Sequence, residues 1–210
     1  MKFSYFLENN IKFKTKSLGG LDTQFLLAPK LRLKYSQAKI ASLSPYNAAV
    51  LALFYPNNKG DICFLLTKRA SYKGMHSAQI SFPGGKLEEK DNSKLETALR
   101  ETFEEVGVEK NSVYLVREMT DVFIPPSNFL VTPFIGYCLT KPKFKINFEV
   151  ESLIEVSVSE LLDENSITTI DMETSYMKNT PIPCFSFKGE VVWGATAMIL
   201  SEIKELLKLY

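Results

Sequence analysis

Residues 93–107 specify one helix completely, with its start, its apolar stripe and its stop. Ser93-Lys94-Leu95-Glu96 has the spacing of a capping box, with Ser93 as N-cap and Glu96 reaching back from the third helical position. Leu95, Ala98, Leu99, Thr102, Phe103 and Val106 recur at three- and four-residue steps and form one apolar face, and Gly107 is placed to take the left-handed conformation that ends a helix. The spacing predicts a helix from Lys94 to Val106.

The segments around it read mostly as strands. Asn47 to Phe54 is an apolar run, Asn57-Asn58-Lys59-Gly60 a turn and Ile62 to Thr67 a second apolar run, which together predict a β-hairpin. A long loop is expected from Lys68 to Asp91, and strand-like stretches at Val113–Leu115, Thr132–Leu139, Glu149–Val156 and Val191–Trp193. Ala195, Met198, Ile199, Ile203, Leu206 and Leu207 predict a closing amphipathic helix. Residues 1–45, with mixed aromatic and basic side chains, read as an N-terminal extension packed on a single mixed α/β domain over 46–210.

Composition excludes several functions. Lys and Arg number 25 against 24 Asp and Glu, too even for a bulk nucleic-acid binder. The longest apolar run, Ala48 to Tyr55, is far short of the about 18 residues that a membrane helix needs, so no membrane partner is expected. The interrupted N-terminus gives no secretory signal, and Lys208-Leu209-Tyr210 is not a peroxisomal address, so the expected location is cytoplasmic. Cys63, Cys138 and Cys184 have no metal or redox spacing and read as buried thiols.

The helix breaks one rule. Glu101, Glu104 and Glu105 crowd its C-terminal turns, where the macrodipole is already negative, and each costs a few tenths to about 1 kcal/mol there. Three- and four-residue spacing brings them together on the side opposite Leu95, Leu99 and Phe103. Either this is a solvated acidic face tempered by Arg100, or the repulsion is relieved by a divalent cation; an all-oxygen set favours Mg²⁺ or Mn²⁺ over zinc. Pro83-Gly84-Gly85 upstream leaves bare backbone that can approach a metal or a phosphate, although a plain tight turn has the same sequence. His76 is the sole histidine, and no Gly-x-Ser-x-Gly elbow exists to build a serine triad around it.

Gly85, Asp91 and the run Arg100-Glu101-Thr102-Phe103-Glu104-Glu105-Val106-Gly107-Val108 resemble the Nudix box, in which a glycine and an acid precede Arg-Glu-x-x-Glu-Glu-x-Gly. Asp91 stands for the usual Glu with one extra residue before Arg100, and Thr102 replaces an aliphatic residue. Leu65-Leu66-Thr67-Lys68-Arg69, the stretch His76 to Lys86, Glu149-Val150-Glu151 with Glu155 to Leu161, and Trp193 to Leu200 resemble the coenzyme A pyrophosphatase branch. The resemblance covers Tyr46 to Leu207.

It implies an α/β fold, the Nudix α/β/α sandwich around a mixed β-sheet, and metal-dependent hydrolysis of coenzyme A to adenosine 3′,5′-bisphosphate and 4′-phosphopantetheine. It further implies Glu101, Glu104 and Glu105 as Mg²⁺ or Mn²⁺ ligands with the Gly85 carbonyl beside them, and Arg100 as the group that orients the carboxylates. Glu149 or Glu151 would be the general base, with Glu155 and Glu88 read as solvated acids. Arg69, Lys68, Lys73 and His76 would meet substrate phosphate, or simply belong to a solvated basic loop. A homodimer is a family-level expectation. An ADP-ribose, dinucleotide or nucleoside triphosphate hydrolase is the sibling reading, and an inactive nucleotide-binding module a third.

Overall fold

The computed structural model describes residues 1–70, 79–174 and 177–208. Short helices open the chain: α1 (Phe3–Glu8), α2 (Asn10–Thr15), α3 (Gly20–Phe25) and α4 (Gln37–Ser42). The predicted hairpin follows as β1 (Tyr46–Pro56) and β2 (Ile62–Arg69), antiparallel with Phe54 opposite Phe64. The expected long loop is instead partly strand, since β2 runs on to Arg69 and β3 (Ile80–Ser81) and β4 (Gly84–Lys86) pair with β2 and β1. Helix α5 spans Lys94–Val106, as its caps and spacing dictate. Next come β5 (Tyr114–Glu118), β6 (Val122–Ile124), β7 (Phe129–Tyr137), β8 (Val150–Ser157) and α6 (Val158–Leu162). Then follow β9 (Ile167–Thr174), β10 (Met177–Phe187), β11 (Glu190–Val192) and α7 (Gly194–Leu207).

The main sheet is mixed, because β1 runs parallel to β7 while its other pairings are antiparallel. Both its faces are covered, which explains the unbroken apolar runs of β1 and β2. Ala52, Phe54, Phe64 and Leu66 point to one cluster with α7, whereas Leu51, Leu53, Tyr55 and Leu65 point to a second cluster with Ala98 and Val106 of α5. The period of two thus separates two cores on one strand pair, a helix–sheet–helix sandwich.

The N-terminal segment is part of the first cluster. Phe3, Phe6 and Phe13 are buried in it, and Phe6 stacks on Phe54 of β1 at 5.7 Å between centroids. Its clasp is Glu202 of α7, 1% exposed, whose carboxylate accepts from Gly20 N at 2.8 Å, Gln24 Nε2 at 3.3 Å, Thr120 N at 3.3 Å and Thr120 Oγ1 at 2.6 Å.

Two local readings change. Ser93 caps α5 by accepting from Glu96 N, but the Glu96 carboxylate turns to Asn92 instead of Ser93; a full capping box forms at Ser157 and Glu160. The second sheet, β11-β10-β9, interrupts what reads as loop because β10 carries Pro181 and Pro183. Those prolines face β9 on one side, while β11 pairs only from Phe185 onward, so they sit where the other side of β10 has no partner from β11. Among the described residues no helix is long and apolar enough to cross a membrane.

Candidate active site

The site forms where α5 lies over β4. Gly84 and Gly85 permit the approach: a Cβ on Gly84 would collide with the Ala49 carbonyl, and one on Gly85 would collide with the Glu101 carboxylate. With no side chain in the way, Gly84 N donates to Glu105 Oε2 at 3.1 Å. A Pro-Gly-Gly turn therefore acts here as an edge of bare backbone under an acidic helix.

The acids differ in burial along the helix. Glu105 is 3% exposed and Phe103 is 43% exposed, the reverse of what the apolar stripe predicts. Val106, Ala98 and Thr102 point into the sheet, and Thr102 fits an aliphatic position because its hydroxyl donates to Ala98 O at 2.7 Å. Burial pushes the Glu105 carboxyl up to about 7; the Arg69 guanidinium and the Gly84 amide oppose that rise, and Glu101 and Glu149 add to it. Glu101 is also raised by burial, against the pull of Arg100. Glu104 is the half-exposed member.

Arg100 is buried and forks between two groups of acids. Its Nε and Nη2 donate to the two Asp91 oxygens at 2.8 Å each, and its Nη1 donates to Glu101 Oε1 at 2.8 Å and Glu104 Oε2 at 3.1 Å. It makes no contact with Glu96, whose partners are Asn92 and Lys110. Asp91 also accepts from Glu88 N and Thr97 Oγ1, and the guanidinium holds its carboxyl well below the usual carboxylate range. The acid at the front of the box thus faces Arg100 as a saturated positioning residue.

The cations of β2 part company. Arg69 Nη1 lies 3.6 Å from Glu105 Oε1 and its Nη2 lies 3.7 Å from Glu149 Oε2, whereas Lys68 pairs with Glu151 at 3.5 Å and Glu190 at 3.4 Å. A register shift between Lys68 and Arg69 sets Lys68 opposite Ser152 and Arg69 opposite Val150. Glu149 is therefore brought to Glu105, and Glu151 and Lys68 are not. Glu155 lies elsewhere, bonded to Tyr55 and Lys141, and Glu88 pairs with Lys90. His76 and Lys73 fall outside the described residues.

Among the described residues no three Asp, Glu, His or Cys side chains stand close enough together to form a ready metal cage. The donor set nonetheless fits a hard divalent ion: Glu101 abuts Gly85, whose missing Cβ leaves room, and Glu105, at the Gly84 amide, is desolvated with its nearest cation beyond hydrogen-bond reach.

Beside β4 opens a cavity of about 380 Å³. Gly84, Gly85 and Arg69 line it, and Phe82, Phe123 and Trp193 add aromatic surface. Arg32 of the N-terminal segment also lines it, and no periodicity or motif in the sequence points to that residue.

The family model of the NUDIX domain matches residues 45–169, more than half the chain. The chain is 30% identical over 185 residues to an uncharacterized Nudix hydrolase, NudL, of Pectobacterium atrosepticum, covering 86% of this chain and 88% of that protein. It is 28% identical over 173 residues to the peroxisomal coenzyme A diphosphatase ndx-8 of Caenorhabditis elegans, covering 81% and 72%. A crystal structure of a MutT/nudix family protein from Enterococcus faecalis superposes with a TM-score of 0.52 at 14% identity, covering 96% of this chain and 74% of that one, and shows the shared fold. The chain therefore belongs to the Nudix hydrolases, pyrophosphohydrolases that generally use divalent metal ions.

Proposed function

We propose that this enzyme hydrolyses the pyrophosphate bond of coenzyme A or its derivatives, releasing adenosine 3′,5′-bisphosphate and 4′-phosphopantetheine. One observation carries the reading: Gln79–Lys86 and Trp193–Ile199, distant in sequence and both within stretches that resemble the coenzyme A branch, line a single cavity that has Gly85 in its wall. The similarity to ndx-8 supports it.

Glu101, Glu104, Glu105 and the Gly85 carbonyl are the groups to hold Mg²⁺ or Mn²⁺, with Arg100 and Asp91 fixing the two outer carboxylates. When bound, such ions polarise phosphoryl oxygens and make a water nucleophilic near neutral pH. Glu149, beside Glu105 through Arg69, is the base that takes a proton from the attacking water. The water oxygen bonds to phosphorus as the bridging P–O bond breaks, and the departing phosphate keeps the electron pair. Arg69 Nε, buried without a partner among the described residues, is a donor free for a phosphate oxygen.

Incubation with coenzyme A, ADP-ribose and a dinucleoside polyphosphate, each with Mg²⁺ or Mn²⁺, followed by product chromatography, tests the assignment. Cleavage of coenzyme A in preference to the others is the expected result. Intact coenzyme A beside cleaved ADP-ribose would move the enzyme to the sibling class.

A further inference from the structure

Arg32 is the one buried guanidinium of the cavity that comes from outside the family match, which begins at residue 45. It is 4% exposed and lies in the short turn Arg32–Lys34. Its guanidinium carbon stands 5.2 Å from the centroid of Phe25 and 5.9 Å from that of Phe123, so two rings hold it. Nη1 donates to Tyr35 O at 3.0 Å, and Nε is buried with no partner among the described residues. No ion pair with a described carboxylate offsets the charge, and burial alone pulls its pKa below the ordinary arginine value. A guanidinium has five N–H groups, and burying them unpaired is costly unless a ligand supplies the acceptors.

Arg32 stands beside Phe123, and strand order separates the strand of Phe123 from that of Gly85. β6, which carries Phe123, pairs with β7, β7 with β1, and β1 with β4, which carries Gly85. Three inter-strand steps of 4.7–4.9 Å put the two backbones about 14 Å apart. That span is far wider than the separation of the two phosphorus atoms in one diphosphate. A ligand whose diphosphate lies at Gly85 therefore presents a different anion to Arg32.

We propose that Arg32 is a specificity-determining residue, contributed by the N-terminal segment, that receives a phosphate monoester of the substrate remote from the scissile diphosphate. The planar fork of arginine suits a phosphate, and the aromatic surface suits the nucleoside that separates the two charges. In the coenzyme A reading, on which the identity of the ligand rests, that group is the 3′-phosphate.

Calorimetric titration of the full chain in Mg²⁺ with adenosine 3′,5′-bisphosphate and with adenosine 5′-monophosphate measures the preference directly. The wild type is expected to bind the bisphosphate about tenfold or more tightly than the monophosphate. Arg32→Met is expected to bring the two within about threefold of each other, with Arg32→Lys, which keeps the charge and loses the fork, in between. Equal affinities in the wild type, no binding of either nucleotide, or a preference that survives in a folded Arg32→Met protein overturns the assignment. Where Arg32→Met does not fold, the wild-type comparison and Arg32→Lys decide it. Coenzyme A left uncleaved, with an Arg32-dependent phosphate preference intact, removes the coenzyme A reading and leaves the role of Arg32 standing.

Discussion

Replacing Asp91 by Asn isolates the ion pair on which the acidic helix is mounted. Asp91 and Arg100 have side chains 1% and 8% exposed and share two hydrogen bonds of 2.8 Å. Removing one partner of such a pair costs about 3–5 kcal/mol. Arg100 keeps Glu101, Glu104 and the Lys86 carbonyl, so the lower end, about 3 kcal/mol at pH 7, is expected. At about 2–4 °C per kcal/mol for a chain of this size, Tm falls by about 6–12 °C. The acid dependence has a definite sign. The folded-state pKa of Asp91 is depressed, so its contribution is complete above the unfolded value of about 3.9 and is lost as the pH falls below it. The difference between wild type and Asp91→Asn should therefore hold constant from pH 7 to 5 and shrink by about 1 kcal/mol between pH 4 and 3. Urea unfolding followed by the single tryptophan, Trp193, measures both. A difference below about 1 kcal/mol at pH 7, or one that does not shrink in acid, refutes the ion-pair account.

Other variants separate the remaining parts. Gly85→Ala drives a methyl group into the Glu101 carboxylate and should lower kcat by about a hundredfold or more while Mn²⁺ affinity falls in calorimetry; near-normal turnover would show that the close approach is dispensable. Glu149→Gln should reduce kcat by about a hundredfold, in the range of general-base losses, while Glu151→Gln, bound to Lys68, should change it by less than about twofold; the reverse order would reassign the base. Glu202→Ala strands four donors from α3 and from Thr120 in the β5–β6 connection, and should destabilise the fold by about 3 kcal/mol or more in urea titrations.

The sequence makes legible what is local. Helix α5 is bounded by an N-cap and a left-handed glycine within a few residues of its own ends, and both act there. The strands β1 and β2 announce themselves by continuous apolar residues because both faces are covered. Burial around α5 is misread because apolarity stands in for it. Glu105 is drawn under the helix by the Gly84 amide and Arg69, and Phe103 is left outside, a reversal that only the packing of β4 produces. The sheet containing β10 is hidden by two prolines whose free side is visible only in the strand pairing. Glu149 and Glu151 are equivalent in the sequence, and one register shift separates them. Arg32 gives no signal at all, since its neighbours Phe25 and Phe123 come from segments nearly 100 residues apart.

The Lys68 and Arg69 pair has a consequence for electrical insulation. Had the register of β2 and β8 been regular, Glu149 and Glu151 would alternate onto one face and both would feel Arg69. The extra residue instead sets Glu151 on Lys68, which also pairs with Glu190, a brace that keeps that lysine's charge occupied at the second sheet. Glu149 is left as the acid that Arg69 shares with Glu105, so a change to the brace can alter the surface at the second sheet without touching that pair.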